Sequence, residues 1–357
     1  MSYFDRALNE IDRGRLGLNV GLPHGFNNLI DYVPNVQQGT YYLLGGETGA
    51  GKTALVDAMF LFNPFEYILK NETNIKLKVF YYSFEISLVR KIIKAIARKL
   101  YIEFGIITDI NYVLSRGKNR VNDEIYNKVV STRDYFDSLE SMVTIKDMPL
   151  NPTGIKIDLD RYAKLNGKVV KTNEVESVYI PNDPNEYVII IIDHIGLSKK
   201  EKGYNKKETI DALSSILVSH RNQHNYIPVV VSQLNRSISS TDRFKLEMVQ
   251  PQLGDFKDSG STQEDCNVAM INFSPNRYGI PRYAGYKASL LGDRFRGLSL
   301  LKNRDDPADV ILGLSFLGEI GHFKELKLPN EMKDTDYQTI IKSIDSKLYK
   351  PQEQLEL

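Results

Sequence analysis

Eight consecutive residues, Gly46-Glu47-Thr48-Gly49-Ala50-Gly51-Lys52-Thr53, have the types and spacing that hold a phosphate chain, G-x-x-x-x-G-K-T. The glycines let the backbone curl so that its N–H groups, with those of the helix that follows, face the anion. In that geometry Lys52 bridges the β- and γ-phosphates and the Thr53 hydroxyl ligates Mg²⁺. A further ligand is expected from a carboxylate at the end of a buried strand, and Asp193 closes the run Val188-Ile189-Ile190-Ile191-Ile192. Breaking the γ-phosphate bond also needs a group that orients and polarises water. Glu85, after Ser83-Phe84, falls at the carboxyl edge of another strand, where open α/β sheets bind ligands. Gln233, closing Val230-Val231-Ser232, offers an amide able to sense the γ-phosphate. The plainer alternative for Asp193, Glu85 and Gln233 is a polar residue at a turn; the phosphate loop beside them favours the chemical reading. ATP and Mg²⁺ are the expected ligands, and γ-phosphate hydrolysis the expected reaction.

These groups need a scaffold that brings strand ends together. Tyr41-Tyr42-Leu43-Leu44 reads as a buried strand entering the glycine turn, and Lys52 to about Phe62 as the apolar helix leaving it. A strand at Lys78–Ser83 and a helix at Leu88–Leu100 follow. Asn111–Ser141 reads as polar and helical, and Met142–Lys146 as a strand. The β-branched run Tyr187–Ile192 has the composition of a strand buried on both faces of a parallel sheet. After it come a helix at Glu208–Gln223, a strand at Val229–Ser232 and a polar segment, Asn235–Lys257. Further strands are expected near Val268–Phe273, Leu298–Leu301 and Val310–Phe316. The alternation predicts one doubly wound α/β domain with a mostly parallel sheet. The stretch from about 151 to 186 differs. Asn166-Gly167 is a turn signal, and Lys168-Val169-Val170 with Val178-Tyr179-Ile180 predicts a β-hairpin inserted in the core. Phe4–Leu16 predicts an amphipathic helix with Leu8 and Ile11 on one side. The expected units are an N-terminal helix (1–20), the ATPase domain (21–330), and a C-terminal helix and tail (331–357).

Composition narrows the class. Hydrophobic residues are 42% and charged residues 25% of the 357, enough for a sizeable core. The longest apolar run, Tyr187–Ile192, is far too short to cross a bilayer, so no membrane partner is expected. The opening MSYFDRALNEIDRGRLG lacks the apolar core of a signal peptide, and the lone Cys266 suits a reducing compartment; a cytoplasmic location is expected. With a net charge of only +1, any nucleic-acid contact must be local. One such place is Lys199-Lys200-Glu201-Lys202-Gly203-Tyr204-Asn205-Lys206-Lys207, whose lysines have the charge to track phosphates. A merely solvated charge run is an equal alternative.

Ser232-Gln233-Leu234-Asn235-Arg236-Ser237, followed by Asp255-Phe256-Lys257-Asp258-Ser259-Gly260 and the acidic stretch to Asp265, resembles the ring-forming replicative DNA helicases of the DnaB type, with their RecA-like ATPase domain. The resemblance takes in Glu85 and Asp193 upstream, and Leu301-Lys302-Asn303-Arg304 and Leu314-Ser315-Phe316-Leu317-Gly318 downstream. It covers about Gly21 to Leu326, interrupted by the hairpin. It implies that Lys302 and Arg304 are the lysine-x-arginine pair that reaches the γ-phosphate of a neighbouring subunit, an arginine finger in trans. It also implies that Arg236, Lys257 and Gly260 contact the single-stranded DNA backbone, with Asp258 shaping that loop. Lys257 stands where the family has arginine. A homohexamer is implied, with the N-terminal helix packing on the next subunit. The family's separate N-terminal helical domain, which meets primase, is not expected ahead of a phosphate loop that begins at Gly46. A compact member from a bacterial cell or a phage-infected host fits this pattern. Gln352-Glu353-Gln354-Leu355-Glu356-Leu357 loosely resembles the peptide that binds sliding clamps, so a clamp, a primase or a polymerase are the protein partners to consider. Two other functions stay open: a recombinase-like or regulatory ATPase that binds DNA without unwinding it, and an ATP-dependent replication loader or scaffold.

Overall fold

The β-branched run that ends at Asp193 lies in the middle of the molecule, and its alternate side chains enter two different cores. Ile189 and Ile191 pack with Tyr42, Val79 and Val229 on one face, while Val188, Ile190 and Ile192 pack with Phe80, Tyr82 and Val230 on the other. A strand covered on both faces has no polar side to show, which is why its sequence is apolar without interruption. The computed structural model describes residues 3–117, 120–171, 177–235, 238, 243, 250–257 and 260–349.

The strands are β1 (Tyr42–Gly46), β2 (Lys76–Ser83), β3 (Val143–Lys146), β4 (Gly167–Lys171), β5 (Ser177–Pro181), β6 (Glu186–Asp193), β7 (Ile227–Gln233), β8 (Val268–Phe273), β9 (Phe295–Asn303), β10 (Val310–Leu317) and β11 (His322–Glu325). Nine of them form one sheet in the order β11-β10-β9-β8-β1-β7-β6-β2-β3. From β8 to β3 every pairing is parallel, and β9, β10 and β11 extend the sheet antiparallel. Parallel pairing brings strand ends to one edge. Its register sets Gly46 beside both Gln233 and Asn272, and Ser83 beside Asp193.

The helices are α1 (Tyr3–Arg15), α2 (Lys52–Asp57), α3 (Asn63–Lys70), α4 (Leu88–Phe104), α5 (Ile110–Val113), α6 (Asp123–Ser131), α7 (Arg133–Met142), α8 (Pro152–Leu165) and α9 (Lys206–His224), with two further helices at Gly260–Asp265 and Asp334–Asp345. Side chains of α2, α3, α4 and α7 fill one face of the sheet, and those of α8 and α9 the other. Asn205 and Glu208 form a capping box that starts α9 immediately after the lysine-rich loop.

Three local expectations need correction. The helix after the phosphate loop does not end near Phe62. It widens into a π-turn at Ala58–Phe62, where the Asn63 N–H reaches back to Ala58, and continues to Lys70 through Pro64. A proline ring crowds the carbonyl four residues earlier, and the wider turn accommodates it. The polar stretch 111–141 holds three separate helices, one ending at Val113 and two more at Asp123–Ser131 and Arg133–Met142. The short strand β11, which closes the sheet edge, was not expected.

The hairpin between β4 and β5 is a separate two-stranded sheet, with Gly167 opposite Pro181 and Lys171 opposite Ser177. It docks through Tyr179, whose hydroxyl donates to the Ala163 carbonyl at 3.0 Å and whose ring meets His224 edge-on. Helix α8 belongs to the core layer, since Ile155, Leu159 and Ala163 are buried against the sheet. On α1, Phe4 and Ile11 are 74% and 59% exposed, so its apolar stripe is uncovered. Among the described residues no helix is long and apolar enough to cross a membrane.

Candidate active site

The glycine loop leaves β1 at Gly46 and enters α2 at Lys52. A Cβ at Gly46 would lie 2.8 Å from both the Asn272 carbonyl oxygen and Lys52 Cγ, so the turn closes only because no side chain is there. Lys52 is buried, and its Nζ donates to the Glu47 carbonyl at 3.0 Å. Burial pulls its pKa below the usual lysine value, against the opposing fields of Glu85 and Asp193. The loop's carbonyls are held from behind. Asn272 Nδ2 and Arg296 Nε both donate to the Ala50 carbonyl at 2.8 Å, and Arg277 Nη1 donates to that of Thr48 at 2.5 Å. The Tyr278 hydroxyl donates to the Glu47 carboxylate. In a planar trans peptide C=O and N–H point opposite ways, so anchoring these carbonyls turns the following N–H groups toward the cavity.

That cavity, about 330 Å³, is lined by Lys52, Thr53, Glu85, Lys91 and Phe316 among others. Asp193, at the end of β6, is almost fully buried. Its Oδ2 accepts from the Tyr81 hydroxyl at 3.2 Å, and its Oδ1 is buried without a hydrogen-bond partner. A polar oxygen left without a partner inside a protein is costly, which is the condition a bound cation relieves. Thr53 and Asp193 therefore fit a Mg²⁺ site. Among the described residues no set of three or more His, Cys, Asp or Glu could hold a metal by itself. Tyr81 is fixed from its other side by Asp57, which forms a buried pair with Lys91 at 2.9 and 3.0 Å. Burial and these two carboxylates push the Tyr81 phenol well above its usual range.

Glu85 follows β2, tied down by the Phe84 N–H donating to the Asp193 carbonyl at 2.8 Å, and its side chain is exposed to the cavity. The Gln233 side-chain amide contacts His194 Nε2 at 3.2 Å. Burial lowers the His194 pKa, against the opposing fields of Glu85 and Asp193. The structure thus brings Lys52, Thr53, Glu85, Asp193 and Gln233 to one edge.

Lys302 and Arg304 are not brought there. Lys302 pairs with Ala269 on β8, three residues before the Asn272 that flanks Gly46, a strand distance of roughly 10 Å. Lys302 Nζ donates to the carbonyls of Gln263 at 2.6 Å and Glu264 at 3.0 Å, and Arg304 Nη2 donates to that of Glu264 at 2.5 Å. Both face the opposite edge of the sheet.

The lysine-rich loop leaves the same edge as Asp193. Glu201 accepts from Asn151 at 2.8 Å and from the Thr153 N–H at 2.9 Å, so its carboxylate is tied to the start of α8. Lys199, Lys200, Lys202 and Lys207 are exposed, while Lys206 donates to the Ser198 carbonyl at 2.6 Å. The Lys257 N–H donates to the Gln233 carbonyl at 2.8 Å, and Gly260 opens the short helix after it. Arg236, Asp258 and the tail 352–357 lie outside the described residues.

Sequence reasoning missed Tyr81, His194, Asn272, Arg277 and Arg296. Asn272 carried the same strand-end signal as Gln233, and Arg296 stood out as one charge inside the apolar strand Phe295–Leu301.

A mostly parallel sheet with a glycine loop at its carboxyl edge and an antiparallel extension defines a RecA-like ATPase fold. The DnaB-like helicase C-terminal domain family matches residues 21–325, and the chain belongs to that family. Two solved structures share its fold. One is an ATPase domain with a TM-score of 0.66 at 17% identity, covering 92% of this chain and 100% of that one. The other, a DnaB-like replicative helicase solved with its interactions with primase, has a TM-score of 0.63 at 17% identity, covering 86% of this chain and 64% of that one. A search of curated proteins gave no match.

Proposed function

We propose that the chain is an ATP-driven helicase motor that translocates on single-stranded DNA as a homohexameric ring and unwinds duplex, hydrolysing ATP between neighbouring copies. The observation that carries this reading is the split of charged groups across one sheet. Lys52, Thr53, Glu85 and Asp193 gather at one edge, while Lys302 and Arg304 face the other. A cyclic head-to-tail assembly sets one edge of each copy against the opposite edge of the next.

In this mechanism the loop N–H groups and Lys52 hold the β- and γ-phosphates. Thr53 and Asp193 would hold Mg²⁺, which would supply positive charge to the phosphate oxygens. Glu85 orients the attacking water and accepts its proton. Lys302 and Arg304 of the next copy neutralise charge that develops on the transferred phosphoryl group. Gln233 senses the γ-phosphate, and its backbone bond to Lys257 passes that state to a DNA-facing loop. Lys199, Lys200, Lys202, Lys206, Lys207, Arg236 and Gly260 complete the proposed track for the DNA backbone. The uncovered stripe on α1 supports packing onto the next copy.

The test is ATPase rate with and without single-stranded DNA, together with unwinding of a forked duplex and native mass. Stimulation by DNA, strand separation and a six-fold mass are expected. ATPase without DNA stimulation or unwinding would leave a loader or regulatory ATPase as the better reading. Glu85→Gln is expected to keep nucleotide bound and slow turnover by roughly 10²–10⁴-fold.

A further inference from the structure

Among the described residues four Lys or Arg side chains are buried: Lys52, Lys91, Arg98 and Arg296. Two have a carboxylate at ion-pair distance, Lys91 on Asp57 at 2.9 Å and Arg98 on Glu66 at 2.7 Å. Lys52 and Arg296 form no ion pair among the described residues, and both belong to the phosphate loop's surroundings. Arg296 donates only to carbonyls: Nε to Ala50 at 2.8 Å, and Nη1 to Asp293 and Phe295, each at 2.7 Å. Its guanidinium lies 4.9 Å from the centre of the Phe316 ring. Carbonyl dipoles and an aromatic face soften the cost of burying this charge without cancelling it.

A buried cation without an ion pair costs a fold stability, and here the fields of Asp293 and Glu47 offset that cost only in part. The cation's position suggests what offsets the rest. The Ala50 carbonyl that Arg296 grips belongs to the peptide whose N–H, on Gly51, turns toward the cavity. Asn272 grips the same oxygen from the neighbouring strand. We infer that Arg296 and Asn272 are positioning residues of the phosphate loop, and that a bound triphosphate adds to the negative charge which Asp293 and Glu47 supply to Arg296 only from beyond ion-pair distance. Asn272 fixes direction alone; Arg296 adds charge in a dry setting where it acts strongly. Burial lowers the Arg296 pKa to about 10, so the charge persists at neutral pH.

The inference rests on nucleotide binding as proposed above. It is tested by titrating a fluorescent ATP analogue with Mg²⁺ into the full chain as wild type, Arg296→Met, Arg296→Lys and Asn272→Leu. Thermal unfolding of each protein without nucleotide runs alongside. Arg296→Met is expected to weaken binding by roughly tenfold or more, with an unfolding midpoint equal to or above wild type. Arg296→Lys keeps the charge and is expected to stay within about threefold of wild type, as is Asn272→Leu. The inference is overturned if Arg296→Met binds within about twofold of wild type, or if Arg296→Lys binds as weakly as Arg296→Met. Should Arg296→Met fail to fold, Arg296→Gln is titrated in its place and held to the same twofold limit. A wild type that does not bind the analogue defeats the nucleotide reading itself, and this inference with it.

Discussion

The Tyr81 hydroxyl donates to Oδ2 of Asp193 at 3.2 Å, and the other oxygen of that carboxylate is buried with no partner. Tyr81 stands on β2 and Asp193 on β6, paired strands, so the sheet register itself places the phenol beside the carboxylate. One oxygen is thus oriented by the protein, and in the proposed mechanism the other would meet the cation. Tyr81→Phe keeps the ring that Lys91 Nζ covers at 3.7 Å from its centre but frees the carboxylate to rotate. The half-saturating Mg²⁺ concentration for ATPase is expected to rise on the order of tenfold, the usual effect of losing a ligand's orienting partner. An unchanged Mg²⁺ dependence would show that Asp193 does not hold the metal.

Placement of Lys302 and Arg304 on the edge away from Lys52 makes a prediction about mixtures. Lys52→Ala and Arg304→Ala should each lose ATPase by roughly 10³-fold. In a random equal mixture of head-to-tail rings, about a quarter of interfaces pair an intact loop with an intact finger. Activity should therefore reappear on mixing two dead proteins under conditions that let subunits exchange. If the mixture stays as inactive as its components while native mass shows mixed rings, the pair does not act in trans.

The hairpin's docking site makes stability depend on pH. His220 is buried between His224 and Tyr226, with Asp160 at 3.4 Å and Lys156 near, and Tyr179 of β5 meets His224. Burial, with help from His224, lowers the His220 pKa to about 4. In the unfolded chain it titrates near 6.5. Between these values the unfolded state binds more protons, so stability is full above about pH 6.5 and is lost as pH falls toward 4. The wild-type unfolding midpoint should drop across that window, and His220→Phe, which keeps a flat ring against Tyr226, should drop less steeply. Parallel curves for the two proteins would show that another group controls the acid response.

Much of the active edge could be read from the sequence because its residues lie where strands meet loops. Gly46–Thr53, Glu85, Asp193 and Gln233 each follow an apolar run, and parallel pairing needs only the strand order to bring them together. The residues that grip the loop from behind gave no local pattern. Asn272 and Arg296 reach Ala50 across more than 200 residues of chain. Tyr81 looked like one more aromatic in a buried strand, and its role depends on the register with β6. The π-turn before Pro64 is set by crowding within one helix, which hydrophobic period does not encode. The hairpin was legible because Lys168-Val169-Val170 and Val178-Tyr179-Ile180 are two short β-branched runs that pair, with Asn166-Gly167 marking the junction of α8 and β4 and not the hairpin's own turn, whereas the membership of α8 in the core depends on packing against α9.

Gly51 is where the loop has least freedom to change. Its φ of +98° lies in the region that side chains avoid, and a Cβ there would come within 2.8 Å of Phe316 and 3.1 Å of Phe323. Those two rings stack on each other with centroids 4.4 Å apart, on paired strands β10 and β11, so neither can move aside freely. Gly51→Ala therefore combines backbone strain with a clash, on the order of 2 kcal/mol from the backbone alone. The chain has two ways to respond. It can keep the loop and lose stability, or it can let the Ala50–Gly51 peptide turn, which frees the Ala50 carbonyl from Asn272 and Arg296 and removes the N–H from the phosphate site. The first response lowers the unfolding midpoint without nucleotide by several degrees and leaves binding near wild type, whereas the second weakens nucleotide binding. Measuring the midpoint and the affinity for the ATP analogue on the same variant separates them. Wild-type values for both would mean that the conformation at Gly51 does not hold the site in shape.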